Sequence, residues 1–327
     1  MPQSRIKKAF LIFGIPVLFL LMMRGIFGVS AWENLFQVMS VTFLFLLPGI
    51  VGAMVILLSS KEKVEKRSYR ILAPWVPVLI FLAITLFFAI EGLACWIMIL
   101  PVFLVVASAG GLLAGYFKLK NAKSKGGDKI YVSTLVLLPL LVAPLESMLP
   151  HPPEVYTAYT CIDIAAPPAR IWPNVTRVRA IPAGQDKGWL TRFLGFPRPV
   201  KAELNYEGVG AYRTAYFTGG LQFHETVSEY ENQRKMVFAI KAYPHEIPAA
   251  TLDEHVIIGG KFFDVLTGTY ELEQLSPTTC RLHLYSHFKL STQFNFYASL
   301  WAGWIMKDIQ QNILQVEKSR SESGVVK

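Results

Sequence analysis

The chain has 327 residues, 53% of them hydrophobic and 17% charged, and a formal net charge of +9. Residues 1–150 hold 14 Lys and Arg against 6 Asp and Glu, whereas residues 151–327 hold 18 against 17. The basic excess is interleaved with the apolar runs of the first half, where it sets membrane topology, and this excludes a nucleic-acid footprint as its explanation.

Five apolar segments, 8–28, 36–59, 71–90, 93–117 and 130–149, each offer about the 20 residues needed to cross a ~30 Å hydrocarbon layer. The first is too long for the apolar core of a signal peptide and is followed by no small-residue cleavage site, so it is expected to stay in the mature protein. Arg5, Lys7 and Lys8 precede it. Lys61, Lys63, Lys66, Arg67 and Arg70 separate the second segment from the third, and Lys118, Lys120, Lys123, Lys125 and Lys129 separate the fourth from the fifth. The alternate loops, near 30–35 and 91–92, carry neither Lys nor Arg. Cytoplasmic loops collect these residues. The expected topology is a multi-pass protein of the inner (cell) membrane with a cytoplasmic N-terminus. Everything after Pro150 then lies on the outer face, which in a bacterium is the periplasm.

Arg24, Glu91 and Glu146 are the ionisable residues within or bordering the apolar runs. An ion-pair cluster or a lipid-headgroup contact is one role for them; snorkelling at the interface is the ordinary one and is expected here. Ala107, Gly111 and Gly115 recur every four residues and form a small-residue face suited to close helix packing.

The second half, 151–327, is long enough for one buried core. A strand is expected over 154–164, in an alternating frame of β-branched and aromatic residues, and then a short helix opened by Pro167-Pro168. Strands follow at 200–206 and 211–217 around a turn at 208–210, then at 221–230 and 235–242. A last hairpin joins 267–273 to 280–290, and a long helix over 291–319, capped by Ser291 or Thr292, closes the chain. On that helix Tyr297, Trp301, Trp304, Ile305, Asp308, Ile309, Asn312 and Val316 follow a 3.6-residue period, which predicts that they form its buried stripe. A sheet curved against such a helix often leaves an apolar cavity.

The run Cys161-Ile-Asp-Ile-Ala-Ala-Pro-Pro-Ala-Arg-Ile-Trp172 resembles the opening of the START-like, or SRPBCC, superfamily (Bet v 1-like, helix-grip fold), whose members often begin with an I-x-A-P-x-x-V-W pattern. Residues 223–238 resemble its central strands. Gly268-Thr-Tyr-Glu-Leu272, Thr279-Cys-Arg-Leu-His-Leu284 and the Trp-rich final helix resemble its closing hairpin and grip helix. The resemblance covers about 154–320. It implies an α+β helix-grip domain, a curved antiparallel sheet around a long C-terminal helix, over 151–320. The expected fold class is thus an α-helical transmembrane bundle over 1–150 followed by that domain, with a disordered tail at 321–327. The superfamily includes lipid carriers, polyketide cyclases and ring-hydroxylase domains, so the resemblance does not fix an activity. It also implies that the first and last strands pair, which brings Cys161 and Cys280 near each other; an oxidising compartment permits a disulfide there, and strand register decides it.

Two sets of residues are candidates for chemistry. Trp189, Phe193 and Phe196, spaced i, i+4, i+7, form either a lid at a cavity mouth that rests on anionic headgroups or an ordinary packed connection. With Tyr297, Trp301 and Trp304 they are the expected ligand-binding residues. Arg213, His224, Tyr270 and Asp308 are the candidates if the domain is instead an enzyme, although Asp308 on the helix stripe is equally explained by an Arg or backbone partner. His283 and His287 share a strand face with Arg281, Tyr285 and Lys289 and are expected to be solvated. His224-Glu225 and Asp253-Glu254-His255 have metal-ligand residue types without metal-ligand spacing, so neither a metal nor a cofactor is expected. The leading reading is a membrane-anchored domain that binds a lipid or isoprenoid-like molecule, with no nucleic-acid partner. A cyclase- or dehydratase-type enzyme and a ligandless assembly module are the alternatives.

Overall fold

The computed structural model describes residues 2–120, 127–243 and 257–323. The chain divides into two compact units, Met1–His151 and Pro152–Lys327.

The first unit is helical. Its apolar helices are α1 (Ile6–Phe27), α2 (Thr42–Leu58), α3 (Arg67–Phe87), α4 (Leu93–Lys120) and α5 (Gly127–Ser147), one at each expected segment. Among the described residues α1, α3 and α4 are long and apolar enough to cross a membrane, whereas α2 and the apolar part of α5, Thr134–Ser147, are shorter. The small-residue face of α4 packs as its spacing predicts. A Cβ added to Gly52 of α2 would lie 1.9 Å from the Ala107 carbonyl oxygen, and one on Gly110 equally close to that of Gly49. Gly111 and Gly115 pack against Arg70 of α3 in the same way.

Snorkelling does not describe the three ionisable residues. Arg24 Nε donates to Glu91 Oε1 at 2.5 Å, with both side chains largely buried. Glu146 accepts from the Val41 and Thr42 backbone N–H groups and from the Thr42 hydroxyl, so it caps the start of α2. In apolar surroundings a partner within reach outweighs a long path to the interface. Lys118 serves the other end of α2 by donating to the Leu57 and Ser59 carbonyls.

In the second unit the described strands are β1 (Glu154–Ile164), β2 (Pro199–Leu204), β3 (Tyr212–Phe217), β4 (Gln222–Glu231), β5 (Lys235–Lys241), β6 (Phe263–Ser276) and β7 (Thr279–Leu290). They form one sheet in the order β1-β7-β6-β5-β4-β3-β2, antiparallel throughout. Register shifts at Val227/Glu229 and Val265/Thr267 are bulges, which add twist and bend to their strands. Two short helices, α6 (Pro168–Thr176) and α7 (Trp189–Leu194), carry the chain from β1 to β2. The long helix α8 (Asn295–Glu322) closes the domain and packs on β1 and β7. A curled antiparallel sheet holding a C-terminal helix fits the helix-grip fold that the resemblance implies.

Three local expectations change. Helix α8 starts at Asn295, not at 291, because the Asn295 side chain folds back to accept from the Thr292 N–H and hydroxyl and to donate to the Leu290 carbonyl. Neither Ser291 nor Thr292 caps it. The helix also runs through 321–322, so only 324–327 of the expected tail lie outside the described residues. Cys161 and Cys280 are free thiols: β1 and β7 do pair, but the register sets Cys161 opposite His283 and Cys280 opposite Ile164, leaving one sulfur exposed and the other buried. Strand β7 itself alternates as read, with Leu282, Leu284 and Phe288 buried and His283 and His287 on the other face.

Among the described residues, apolar packing between sheet and helices includes three clusters. One, around Trp172, Met236, Leu282 and Leu314, lies under the second half of α8. Another joins Val265, Phe288 and Leu290 to Met306 and two alanines of the first half, Ala298 and Ala302. The third, with Leu221 and Phe223, lies under β2 to β4. Ile240 of β5 touches all three, yet is only partly buried.

Candidate functional site

The alternation of β4 turns Leu221, Phe223 and Val227 into the core, and Glu225 lies in the same frame. Directly across the ladder on β3 stands Arg213. Both are almost wholly buried, and the Arg213 Nη1 donates to Glu225 Oε2 in a very short contact. Arg213 Nε donates to the carbonyl of Thr176, the last residue of α6. Its guanidinium also lies over two aromatic rings, 5.3 Å from the centre of Phe238 and 6.0 Å from that of Tyr270. Burial alone depresses a guanidinium, but Glu225 and Tyr270 more than offset it and hold Arg213 charged. Burial pushes the Glu225 carboxyl up while Arg213 opposes it, and burial raises the Tyr270 phenol well above its usual range.

Glu317 of α8 completes this ionisable group. It is fully buried, and neither carboxylate oxygen has a hydrogen-bond partner. Burial pushes its pKa up to about 8 against the pull of Arg320 and Arg213. A carboxyl in this state is held protonated near neutral pH, which suits a proton donor.

Of the four residues expected for an enzyme, the structure therefore brings Arg213 and Tyr270 together and places the other two elsewhere. His224 points to the opposite sheet face from Glu225, where it bonds and stacks with Tyr212. The inward residue of the His224-Glu225 pair is the glutamate, a distinction readable from the Leu221, Phe223, Val227 frame. Asp308 has the backbone-donor role: it accepts from Thr191 N at 2.9 Å, Thr191 Oγ1 at 2.8 Å and Leu190 N at 3.4 Å. Asp253-Glu254-His255 falls outside the described residues, and the described ones contain no cluster of potential metal ligands.

Asp308 thus latches α7 onto α8. The latch continues one turn on, where Asn312 accepts from Lys187 N and donates to Asp186, itself paired with Arg198. Gly195 ends α7 in the left-handed region, with φ 74°, which a glycine adopts without strain. Leu190, Thr191 and Leu194 face inward, leaving Trp189 and Phe193 71% and 62% exposed. Phe196 lies past the end of α7 and is partly buried, so it does not share their face. Removing the latch with Asp308→Ala is expected to free α7: trypsin cleavage after Lys187 and Arg192 accelerates at least several-fold, while cleavage elsewhere in the domain keeps its rate. Unchanged cleavage at both sites would show that apolar packing alone holds the helix.

The aromatic stripe of α8 is also rotated from its expected position. Trp304 is 53% exposed, and Tyr297 and Trp301 are partly buried, whereas the buried face carries Met306, Gln310, Leu314 and Glu317 together with Asn312 and Val316, the two members of the expected stripe that are buried. Gln310 holds that place because its amide donates to the Ala158 carbonyl and the Ser286 hydroxyl. Trp301 instead donates to the Tyr297 hydroxyl and meets Trp304 edge-on, with ring centres 5.2 Å apart.

No family model and no curated protein matches the chain. Among solved structures it is similar to norcoclaurine synthase from Thalictrum flavum, with a TM-score of 0.34 and 11% identity over 54% of this chain and 91% of that one. Zhui aromatase/cyclase from Streptomyces sp. R1128 matches with a TM-score of 0.34 and 14% identity over 53% and 96%. Ara h 8.0201 matches with a TM-score of 0.33 and 12% identity over 52% and 100%.

Proposed function

We propose that the chain is a membrane-anchored helix-grip protein whose second unit binds a hydrophobic molecule, a lipid or isoprenoid-like compound, on the outer face of the cell membrane. The observation that carries this reading is the broken core. Three apolar clusters meet at Ile240, and that isoleucine stays partly accessible although Glu225, directly across the ladder from it, is buried. A domain built only for stability fills such a junction. Small residues, Ala298 and Ala302, face the sheet from the first half of α8, and the large aromatics of that half lie to the side. An apolar molecule seated at the junction gains roughly 25 cal/mol for each Å² it buries, before the cost of binding. The bound molecule lies between sheet and α8, with Trp301 and Tyr297 at its flank.

Replacing Ile240 by Trp fills the junction and tests the reading. Mass spectrometry of the purified full chain is expected to show at least one apolar species in the wild type that Ile240→Trp loses, against an unchanged background of membrane lipid. The urea midpoint is expected to move little. Identical lipid profiles would reject the ligand. The side of the membrane is tested separately: with the exposed Cys161 replaced by Ser, Ser228→Cys on the exposed part of β4 should react with an impermeant maleimide in intact cells.

A second reading, a cyclase- or dehydratase-type enzyme, draws on the Arg213, Glu225, Tyr270 and Glu317 group. An acid held neutral beside a fixed cation and a phenol is suited to general-acid chemistry. Loss of turnover in Glu317→Gln with the apolar species still bound would favour it over a carrier.

A further inference from the structure

Leu300, Trp304, Asp308 and Asn312 succeed one another at four-residue intervals and so share one stripe of α8. The segment 187–191 covers the C-terminal half of that stripe through Asp308 and Asn312. The N-terminal half stays open, with Leu300 and Trp304 about half exposed, and α7, latched to the same helix through Thr191 and Asp308, exposes Trp189 and Phe193. Large apolar side chains displayed from two adjoining helices form a patch of the kind that marks an interaction surface.

The charges around the patch select its partner. Within 186–195 and 300–311 the two acids are engaged internally, Asp186 with Arg198, Asn312 and the half-exposed Arg192, and Asp308 with Thr191. The exposed charges are Lys187, Arg192 and Lys307, all basic. Tryptophan beside cations is the composition of a helix face that lies in the headgroup region of an anionic bilayer. Among the described residues three helices are long and apolar enough to cross a membrane, and residues 148–153 separate α5 from β1.

The geometry points to a membrane-docking face: Trp189, Phe193, Leu300 and Trp304 enter the interface of an anionic bilayer, and Lys187, Arg192 and Lys307 contact its headgroups. Asp308 fixes the two helices in the register that makes their exposed faces continuous. This inference rests on the membrane anchor proposed above and not on the bound ligand.

The test uses the full chain in nanodiscs of phosphatidylcholine, with or without about one third phosphatidylglycerol. Cys161 is the exposed native thiol and is replaced by Ser; Cys95 and Cys280 are buried. A fluorophore is placed at Gly303→Cys, where an added Cβ meets nothing within 4 Å, or at Ser228→Cys on the sheet as a control. Nitroxide lipids are expected to quench the label at 303 several-fold more than the label at 228, and more strongly with phosphatidylglycerol. Trp189→Ser/Phe193→Ser/Trp304→Ser should reduce quenching at 303 to the control level with the urea midpoint kept; if that variant unfolds, Trp304→Ser alone makes the comparison. Equal quenching at the two positions overturns the inference, as it would if a second copy or another protein occupied the face. Quenching that the substitutions leave intact overturns it too. Incorporation into the nanodisc reads the anchor, and lipid retention reads the ligand, so each failure is separately visible.

Discussion

Arg213→Met is expected to cost the second unit about 3–5 kcal/mol, the range found when one partner of a buried ion pair is removed. The magnitude comes from what is left behind. Glu225 is almost wholly buried on β4, so without Arg213 its carboxylate has to be protonated or the ladder has to open. Thr176 loses the guanidinium that serves its carbonyl at the end of α6, and the faces of Phe238 and Tyr270 lose their cation. Glu225→Leu should cost a similar amount, since it strands the guanidinium instead. The double variant Arg213→Met/Glu225→Leu should recover most of the loss, because the pair repays its desolvation only in part and two apolar side chains suit the surrounding core. Urea unfolding of the full chain in detergent is the measurement. With a typical slope of about 1–3 kcal/mol per molar, the single variants should lower the midpoint by at least about 1 M. A single variant costing under about 1 kcal/mol would show that Glu225 reaches water and that the buried group is not closed.

The second large effect is on pH dependence. Glu317 titrates at about 8 in the folded domain and near 4.5 as an ordinary glutamate, its burial being the main cause. A group raised on folding stabilises the fold below its unfolded value, and that contribution is lost as the pH climbs through the folded one. At 1.36 kcal/mol per unit, stability should fall by roughly 4 kcal/mol between pH 4.5 and 8. Glu317→Gln should match the wild type near pH 4.5 and exceed it at pH 8. Glu225, also raised by burial, adds a slope of the same sign. Urea midpoints at both pH values decide the matter. A wild type as stable at pH 8 as at pH 5 would mean that water or a counter-charge reaches Glu317.

The two kinds of element were legible to different degrees. Strands of period two announced themselves, and β7 alternates residue by residue as its sequence does. Helix α8 misled because its apolarity and its burial do not coincide: Trp304 is exposed, while Gln310 and Glu317 are buried. A 3.6-residue period finds a stripe of apolar residues, but not which side of the helix meets the sheet. Arg213 and Tyr270 were legible only as polar candidates, and the fold is what brings them together. Glu225 was readable from the Leu221, Phe223, Val227 frame and was hidden by the neighbouring histidine, which drew the chemistry to the wrong face. Glu317 gave no such signal, since nothing local distinguishes it from a surface glutamate of an amphipathic helix. Close helix approach in the first unit was plain from Ala107, Gly111 and Gly115, but the Arg24–Glu91 pair joins segments far apart in sequence and depended on the bundle.

The pairing of β1 with β7 has a consequence for assembly. Among the described residues, the first strand of the second unit finds its only ladder partner in the last, as Val155 with Lys289 and Thr160 with Leu284, and α8 then closes over both. Until that hairpin has been made, β1 has no place in the sheet, and non-local pairing of this kind folds slowly. Completion of the second unit therefore waits on the synthesis of its last strand and helix, and until then the polar edge groups of β7's neighbours and the apolar face under α8 stay uncovered.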